Sequence, residues 1–361
     1  MTKPLVETVS SVAQLEHLSE EWEQLASELS AGPFSMPAVA VPWWKHLGRG
    51  HLLVVVVRDG SGRLVGLAPL HERRIGGLEI VRWLGHGMGT VGQLLVRPGS
   101  SEVAEQVWAH LATSRRRVLQ LVEYRYGGAG LDALRRSTAW TSHIELRDAC
   151  PYIDLTGRAT ATDLLAEPGR RKLRQNMARV DRQLAELAEP LTIEVHTTPA
   201  AIEAVIADVT AIHDAAEAAH PRLHFLSEPY RDFTLDVLRG ASRRGQLVAV
   251  VLRLGDRPVA FHVAIVTGRV ASAWLARYDP VAADVAPGHV MLRAVVDWAA
   301  GLGLDGVDLQ LGDDPYKLRW SSGTYDTLGV TAAQPSVLPM ARSALATVDV
   351  LRRVRARARN R

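Results

Sequence analysis

Residues 307–320 read Val-Asp-Leu-Gln-Leu-Gly-Asp-Asp-Pro-Tyr-Lys-Leu-Arg-Trp. Asp308 interrupts an apolar strand, and Gln310 shares its face. An unpaired carboxylate buried there costs several kcal/mol. Asp308 is therefore either held in a pair with Lys317 or Arg319, or it is a base with a raised pKa. Asp313, Tyr316 and Lys317 lie just past the strand's end, where ligands of open α/β sheets gather. Tyr316 suits a proton donor to a leaving group. Lys317 suits a phosphate or a developing oxyanion. Trp320, one turn past Tyr316, is expected to pack beneath it.

The stretch just upstream suits an anion. A strand ends at Tyr278, a loop leads to Pro287-Gly288, and the pattern predicts a helix over Gly288–Ala300. The first N–H groups of such a helix, at Gly288, His289 and Val290, lack intrahelical partners, and the helix dipole is positive there. A phosphate-bearing ligand fits that end, with Gly288 allowing close approach; an ordinary strand-to-helix turn reads the same way. Met291, Ala294, Val295 and Trp298 repeat on one helix face and are packing residues.

Two histidines remain as base candidates. His213 ends an apolar helix face beside Asp214, and His262 lies mid-strand between Phe261 and Val263. Either is equally readable as a satisfied core group. His220, His224 and Phe225 occupy a Pro-containing loop. No His-Glu-x-x-His pattern accompanies these histidines, so no metal is expected. The single cysteine, Cys150, reads as a buried structural thiol and suits a reducing compartment. Gly-x-Ser-x-Gly, Walker and Rossmann fingerprints are missing, and Gly85, Gly87 and Gly89 do not lead directly into a helix. No covalent enzyme intermediate is required.

The elements that must position these groups fill 361 residues, enough for about two domains. Hydrophobic content is 47% and charged content 22%, ordinary for a soluble protein. Net charge is +3, and the basic excess concentrates at Arg170–Arg182 and in the last ten residues. A nucleic-acid binder would spread it over one face, so DNA is not an expected partner. No run of 18 uncharged apolar residues exists and the N-terminus lacks a signal-peptide core, so a cytoplasmic location is expected. Each half follows one order: strand, two helices, three antiparallel strands, helix, strand, helix, strand. In the first half the patterning predicts single strands over His51–Arg58 and Leu64–Arg73. Arg170, Arg171, Lys172, Arg174, Arg179 and Arg182 crowd a helix that is either a solvated basic face or a wall attracting an anionic group. Residues 336–361 suggest a basic amphipathic tail, either docked or attached peripherally to an anionic membrane surface.

This order of elements resembles the GNAT acetyltransferase fold present twice in tandem. More narrowly, it is similar to the cellulose-biosynthesis (CelD/BcsL-like) acyltransferases, related in fold to the Fem-type aminoacyltransferases. The resemblance covers roughly residues 10–332. It is carried by Tyr278-Asp279-Pro280, Ala286-Pro287-Gly288, the Gly303–Asp308 run and Leu311–Trp320, which matches the family's strand, Gly-acidic turn and Tyr-Lys-x-x-Trp helix. It departs at residues 284–289, where one glycine stands in place of the Arg/Gln-x-x-Gly-x-Gly/Ala loop of the best-known acetyltransferases.

The resemblance implies an α/β (α+β) fold of two GNAT-like domains, each a mixed, mainly antiparallel sheet flanked by helices. Residues 1–155 would form a non-catalytic, groove-shaping domain, 156–190 a basic linker helix, and 191–335 the domain of acyl-donor binding and chemistry. It further implies acyl transfer to an amine by direct attack. The donor is acetyl-CoA or another acyl-CoA, or alternatively aminoacyl-tRNA. The acceptor is a small metabolite, an amino sugar or a cell-envelope precursor. Candidate catalytic residues are Asp308, Asp313, Tyr316, Lys317, His262 and His213. Candidate donor-binding residues are Tyr278, Pro287, Gly288, His289, Val290 and Lys317. A non-catalytic scaffold binding an anionic polymer or membrane through the same arginines is a third reading.

Overall fold

The structure, a computed structural model, describes residues 4–88, 91–128, 130–221 and 225–337. Gly89, His224 and nearly all of the basic tail lie outside the described residues. The chain forms two compact units, neither of them contiguous. The first comprises Met1–Leu25, Gly48–Arg147 and Asp326–Arg361, the second Ala26–Leu47 and Asp148–Tyr325. These limits do not coincide with the boundaries at 155, 190 and 335 that the sequence suggested.

The first unit holds β1 (Leu5–Val9), most of α1 (Val12–Glu28), β2 (His51–Leu52), β3 (Val54–Arg58), β4 (Leu64–Ala68), β5 (Leu70–Ile75), β6 (Leu78–Trp83), β7 (Leu95–Val96), α3 (Ser101–Leu111), β8 (Arg117–Arg125) and α4 (Leu131–Arg136). Two expected strands are each split: His51–Arg58 at Leu53, and Leu64–Arg73 at Pro69. Pro69 has no N–H to offer a ladder, so the chain changes sheets there. β1, β3, β4 and β7 make one sheet, and β8, β6, β5 and β2 follow one another in another. Val55, Val57, Val103, Val107, Trp108 and Leu119 are among the residues that fill the core.

β6 and β8 are parallel over only three residues, Glu79–Val81 against Arg117–Leu119. β6 then ends while β8 runs on, and the chain itself fills the space between. Gly92 bridges Tyr124 in parallel sense. It donates its N–H to the Glu123 carbonyl at 2.9 Å and accepts the Arg125 N–H at 3.0 Å. Trp83 lies against Tyr124, ring centroids 5.5 Å apart. A Cβ on Gly92 would sit 2.5 Å from the Trp83 ring, so only glycine fits.

The second unit holds α2 (Pro37–Leu47), α5 (Ala161–Ala166), α6 (Arg171–Ala185), β10 (Leu191–His196), α7 (Pro199–Ala219), α8 (Arg231–Arg243), β11 (Leu247–Leu254), β12 (Arg257–Thr267), β13 (Val270–Tyr278), α9 (Pro287–Gly301), β14 (Gly306–Asp308) and α10 (Pro315–Trp320). Two long strands, β9 (Thr141–Asp154) and β15 (Gly323–Ala333), carry the unit boundaries within them. The sheet runs β10-β11-β12-β13-β14-β9. β10 to β13 are antiparallel neighbours, β13 and β14 are parallel, and β14 pairs antiparallel with Tyr152–Asp154. The remainder of β15, Thr327–Ala333, pairs with β8 and so belongs to the first unit. Sequence order alone suggested that this strand closes the second half.

α9 packs on one sheet face. Leu292, Val295 and Val296 join Val248, Val250, Ala264 and Trp320 in a core. α6 contributes Leu173, Met177 and Val180 to the buried side, while Arg171, Lys172, Arg174, Arg179 and Arg182 are exposed. Its basic face is thus open to solvent and to an anionic ligand alike. No described helix is long and apolar enough to cross a membrane.

Candidate active site

The parallel ladder of β13 and β14 matches Val270, Ala271 and Ser272 with Gly306, Val307 and Asp308, and stops there. β13 continues for six residues to Tyr278. On the other side Leu309 stays with β9, donating its N–H to the Pro151 carbonyl at 2.9 Å. The two strands therefore diverge, and β13 presents an unpaired edge beyond Ser272. A bulge against β12, with Trp274 as the extra residue, deforms β13 at that point. Exposed edges of this kind accept an extended partner through main-chain hydrogen bonds.

Asp308 sits at the apex of this divergence and is buried. Its Oδ1 accepts the Gln310 N–H and its Oδ2 accepts the Tyr325 hydroxyl, both at 2.8 Å. The choice left open for Asp308 is thereby narrowed. Its carboxylate orients backbone and phenol, and Arg319 is not among these two partners. Gln310 has φ 58°, the left-handed region that non-glycine residues seldom enter. Gly312 follows with φ 98°. β14 ends at Asp308 because these two turns lift the chain off the sheet.

Lys317 reaches back into the same place. Its Nζ donates to the Leu311 carbonyl at 2.6 Å and lies 3.9 Å from Asp314 Oδ2. Burial lowers its pKa, opposed by Asp314, Cys150 and Asp308. Asp313, by contrast, is exposed and makes no hydrogen bond or ion pair among the described residues, so Asp314 is the carboxylate beside Lys317. Cys150 is fully buried, as expected of a structural thiol.

His262 joins this side of the sheet. Its register partner is Val250, a member of the core formed with α9. Burial drives its pKa down to about 4, and the Lys317 ammonium adds to the effect. Its Nε2 is buried without a partner. His213 belongs elsewhere. It contacts Arg277 at 3.4 Å, and Arg277 pairs in register with Phe261, the neighbour of His262. Strand alternation puts Arg277 and His262 on opposite faces. His213 is thus part of a network with Arg277, Glu217 and Ser227, apart from the Lys317 cluster.

The start of α9 is built on an Ala286 in the left-handed region, φ 51°. The Ala286 carbonyl takes the N–H groups of His289 and Val290, at 3.0 and 3.3 Å. Pro287 has none. Gly288 alone therefore keeps a main-chain N–H for a ligand, and the space beyond its Cα is open. The expectation that Gly288, His289 and Val290 would all offer theirs is corrected to one, and the Val290 side chain is core. His289 contributes through its ring. Trp320 Nε1 donates to His289 Nδ1 at 2.9 Å. An indole only donates, so the neutral ring carries its proton on Nε2. Burial, then Arg319 and Arg179, hold the His289 pKa below its usual value. The fully buried Trp320 and the exposed Tyr316 flank the imidazole, the latter edge-on with centroids 6.5 Å apart. Tyr278 is exposed at the end of β13.

The structure thus gathers Asp308, Lys317 and His262 at the divergence, and His289 and Tyr316 with Gly288 at the helix start. It leaves out Asp313 and His213. Sequence reasoning missed Tyr325, Gln310, Arg179 and Asp314 as members. Among the described residues no group of three His, Cys, Asp or Glu side chains could hold a metal ion.

Comparison with known proteins bears on the domain and the fold. Residues 171–318 match the family model described as an acetyltransferase (GNAT) domain, so this stretch carries such a domain. No curated protein sequence matches the chain. Among solved structures, FemX is similar with TM-score 0.63 at 10% identity, covering 90% of this chain and 98% of its own. The C-terminal domain of a candidate lysylphosphatidylglycerol synthetase from Agrobacterium fabrum has TM-score 0.61 at 14% identity, covering 94% and 96%. The L-PGS structure from Bacillus licheniformis has TM-score 0.56 at 13% identity, covering 92% and 96%. At these identities the likeness is one of fold, and the fold is the α/β, GNAT-type architecture expected from element order.

Proposed function

We propose that this protein is an N-acyltransferase that moves an acyl group from an acyl-CoA to an amine by direct attack. The observation that carries the reading is the short β13–β14 ladder with α9 beginning just after β13. The donor's extended arm would lie along the free edge of β13. Its phosphates would meet the Gly288 N–H, the His289 Nε2–H and the Arg179 and Arg319 guanidinium groups. The first unit favours this assignment by contrast, because there the corresponding divergence is occupied by Gly92 of the chain itself.

In the reaction the amine nitrogen attacks the thioester carbonyl carbon. The carbonyl electron pair moves to oxygen, near the positive charge of Lys317. Collapse breaks the C–S bond and releases the thiolate. His262, neutral at physiological pH, takes the ammonium proton at Nε2. The acceptor is an amine on a small metabolite, an amino sugar or a cell-envelope precursor, met in the cytoplasm.

Titration calorimetry with acetyl-CoA and longer acyl-CoAs tests this. Binding is expected, and Arg319→Glu should weaken it by roughly tenfold. No binding at millimolar concentration rejects the reading. The exposed arginines of α6 favour one rival, an aminoacyl-tRNA donor. That rival predicts tRNA binding that falls steeply with salt.

A further inference from the structure

Gln310 combines two costs that ordinary folding would remove. Its backbone is held at φ 58°, a region unfavourable for a non-glycine residue. Its carboxamide Oε1 and Nε2 are both buried without any hydrogen-bond partner. Each buried, unsatisfied polar atom is destabilising. A leucine would remove the second cost and a glycine both. The surroundings fix the residue nonetheless: Asp308 clamps its N–H, and Tyr325 clamps Asp308. The clamp acts on the backbone and leaves the carboxamide unanchored. Its location is specific as well. Gln310 is the second residue beyond the last parallel pair of β13 and β14, where the two strands part. Retained strain and an orphaned donor at such a divergence are signs of function rather than packing.

We propose that Gln310 is a catalytic residue whose Nε2–H holds the acyl carbonyl oxygen of the donor. This rests on the acyl-CoA reading above. A small rotation of the unanchored carboxamide brings the N–H to the thioester oxygen. When the amine attacks, the C–N bond forms and the carbonyl π pair becomes an oxyanion, to which Gln310 donates. The oxyanion then re-forms the carbonyl, the C–S bond breaks, and the thiolate leaves. The amide donor does not change its protonation state. The Asp308–Tyr325 pair acts as its positioning device, through the Gln310 main chain.

The test compares acetyl-CoA with S-ethyl-CoA, a thioether of similar size that lacks the carbonyl, by calorimetry on the full chain. Wild type is expected to bind acetyl-CoA roughly tenfold more tightly. Gln310→Gly relieves the backbone and removes the donor. It should bind both compounds equally and unfold at the same or a higher temperature. Gln310→Glu, nearly isosteric but without the N–H, should also lose the preference, which covers the case in which the glycine variant fails to fold. A tenfold preference that survives in either folded variant overturns the assignment, as does a wild type that binds both compounds equally. If wild type binds neither, the acyl-CoA reading falls and Gln310's role falls with it.

Discussion

His262 offers a direct thermodynamic check on the site. Its imidazole is buried and neutral in the folded chain, with a pKa of about 4 against 6.5 for the free side chain. Between those values the unfolded chain binds a proton that the folded chain does not. Stability from this residue is therefore fully present above pH 6.5 and is lost as the pH falls toward 4. The slope is about 1.4 kcal/mol per pH unit over most of that window. At pH 4.5 the accumulated loss relative to pH 7 is roughly 2 kcal/mol. Carboxylates also titrate in this range, so the contribution must be isolated by substitution. His262→Gln keeps a polar side chain of similar volume that cannot charge. Urea unfolding at pH 7 and pH 4.5, fitted with one transition per unit, should show the second unit's acid loss shrinking by about 2 kcal/mol in the variant. His71 supplies an internal reference. It lies in the first unit, is also depressed to about 4 by burial and then by Arg82, and should give that unit an acid loss that is the same in wild type and in the His262 variant. An identical pH dependence in wild type and variant would show that His262 is not buried as a neutral base, and its role as proton acceptor would go with it.

Two further substitutions probe the frame around the site. Gly92→Ala places a methyl group 2.5 Å from the Trp83 ring, which is itself packed on Tyr124. It should destabilise the first unit by about 1–3 kcal/mol and speed hydrogen exchange at the Arg125 amide, without changing donor affinity. Tyr325→Phe removes a hydroxyl that donates to a buried carboxylate, and should cost about 2 kcal/mol. In a double-mutant cycle with Asp308→Asn, measured by urea unfolding, a coupling near zero would refute the pairing.

Much of this was legible from residue patterns, because local chemistry controls it. The periodicity of Met291, Val295 and their neighbours places α9 to within a residue, and the segment from Leu311 to Trp320 is the turn and helix expected. What escaped depends on partners distant in sequence. Nothing near Tyr325 marks it as the ligand of Asp308, seventeen positions away. Asp313 and Asp314 are adjacent and alike, and only the direction of the chain after Gly312 decides which one faces Lys317. The Gln310 backbone is likewise set by a tertiary clamp and not by its own propensity. For the same reason sequence order does not show that most of β15 joins the first unit. Its ladder with β8 joins residues some 200 positions apart, and a strand's partner is chosen by register and burial rather than by proximity along the chain.

That ladder bears on how the protein comes into being. Synthesis proceeds from the N-terminus, and domains generally fold as they emerge. The first unit cannot do so here. Thr327–Ala333, the strand it needs beside β8, leaves the ribosome some 200 residues after β8 itself. The second unit, ending at Tyr325, has its whole sequence available slightly earlier. The half begun first is thus finished last, and until then its β8 edge is open to intermolecular pairing. A nascent chain stalled before residue 327 is expected to need a chaperone's protection on that edge alone.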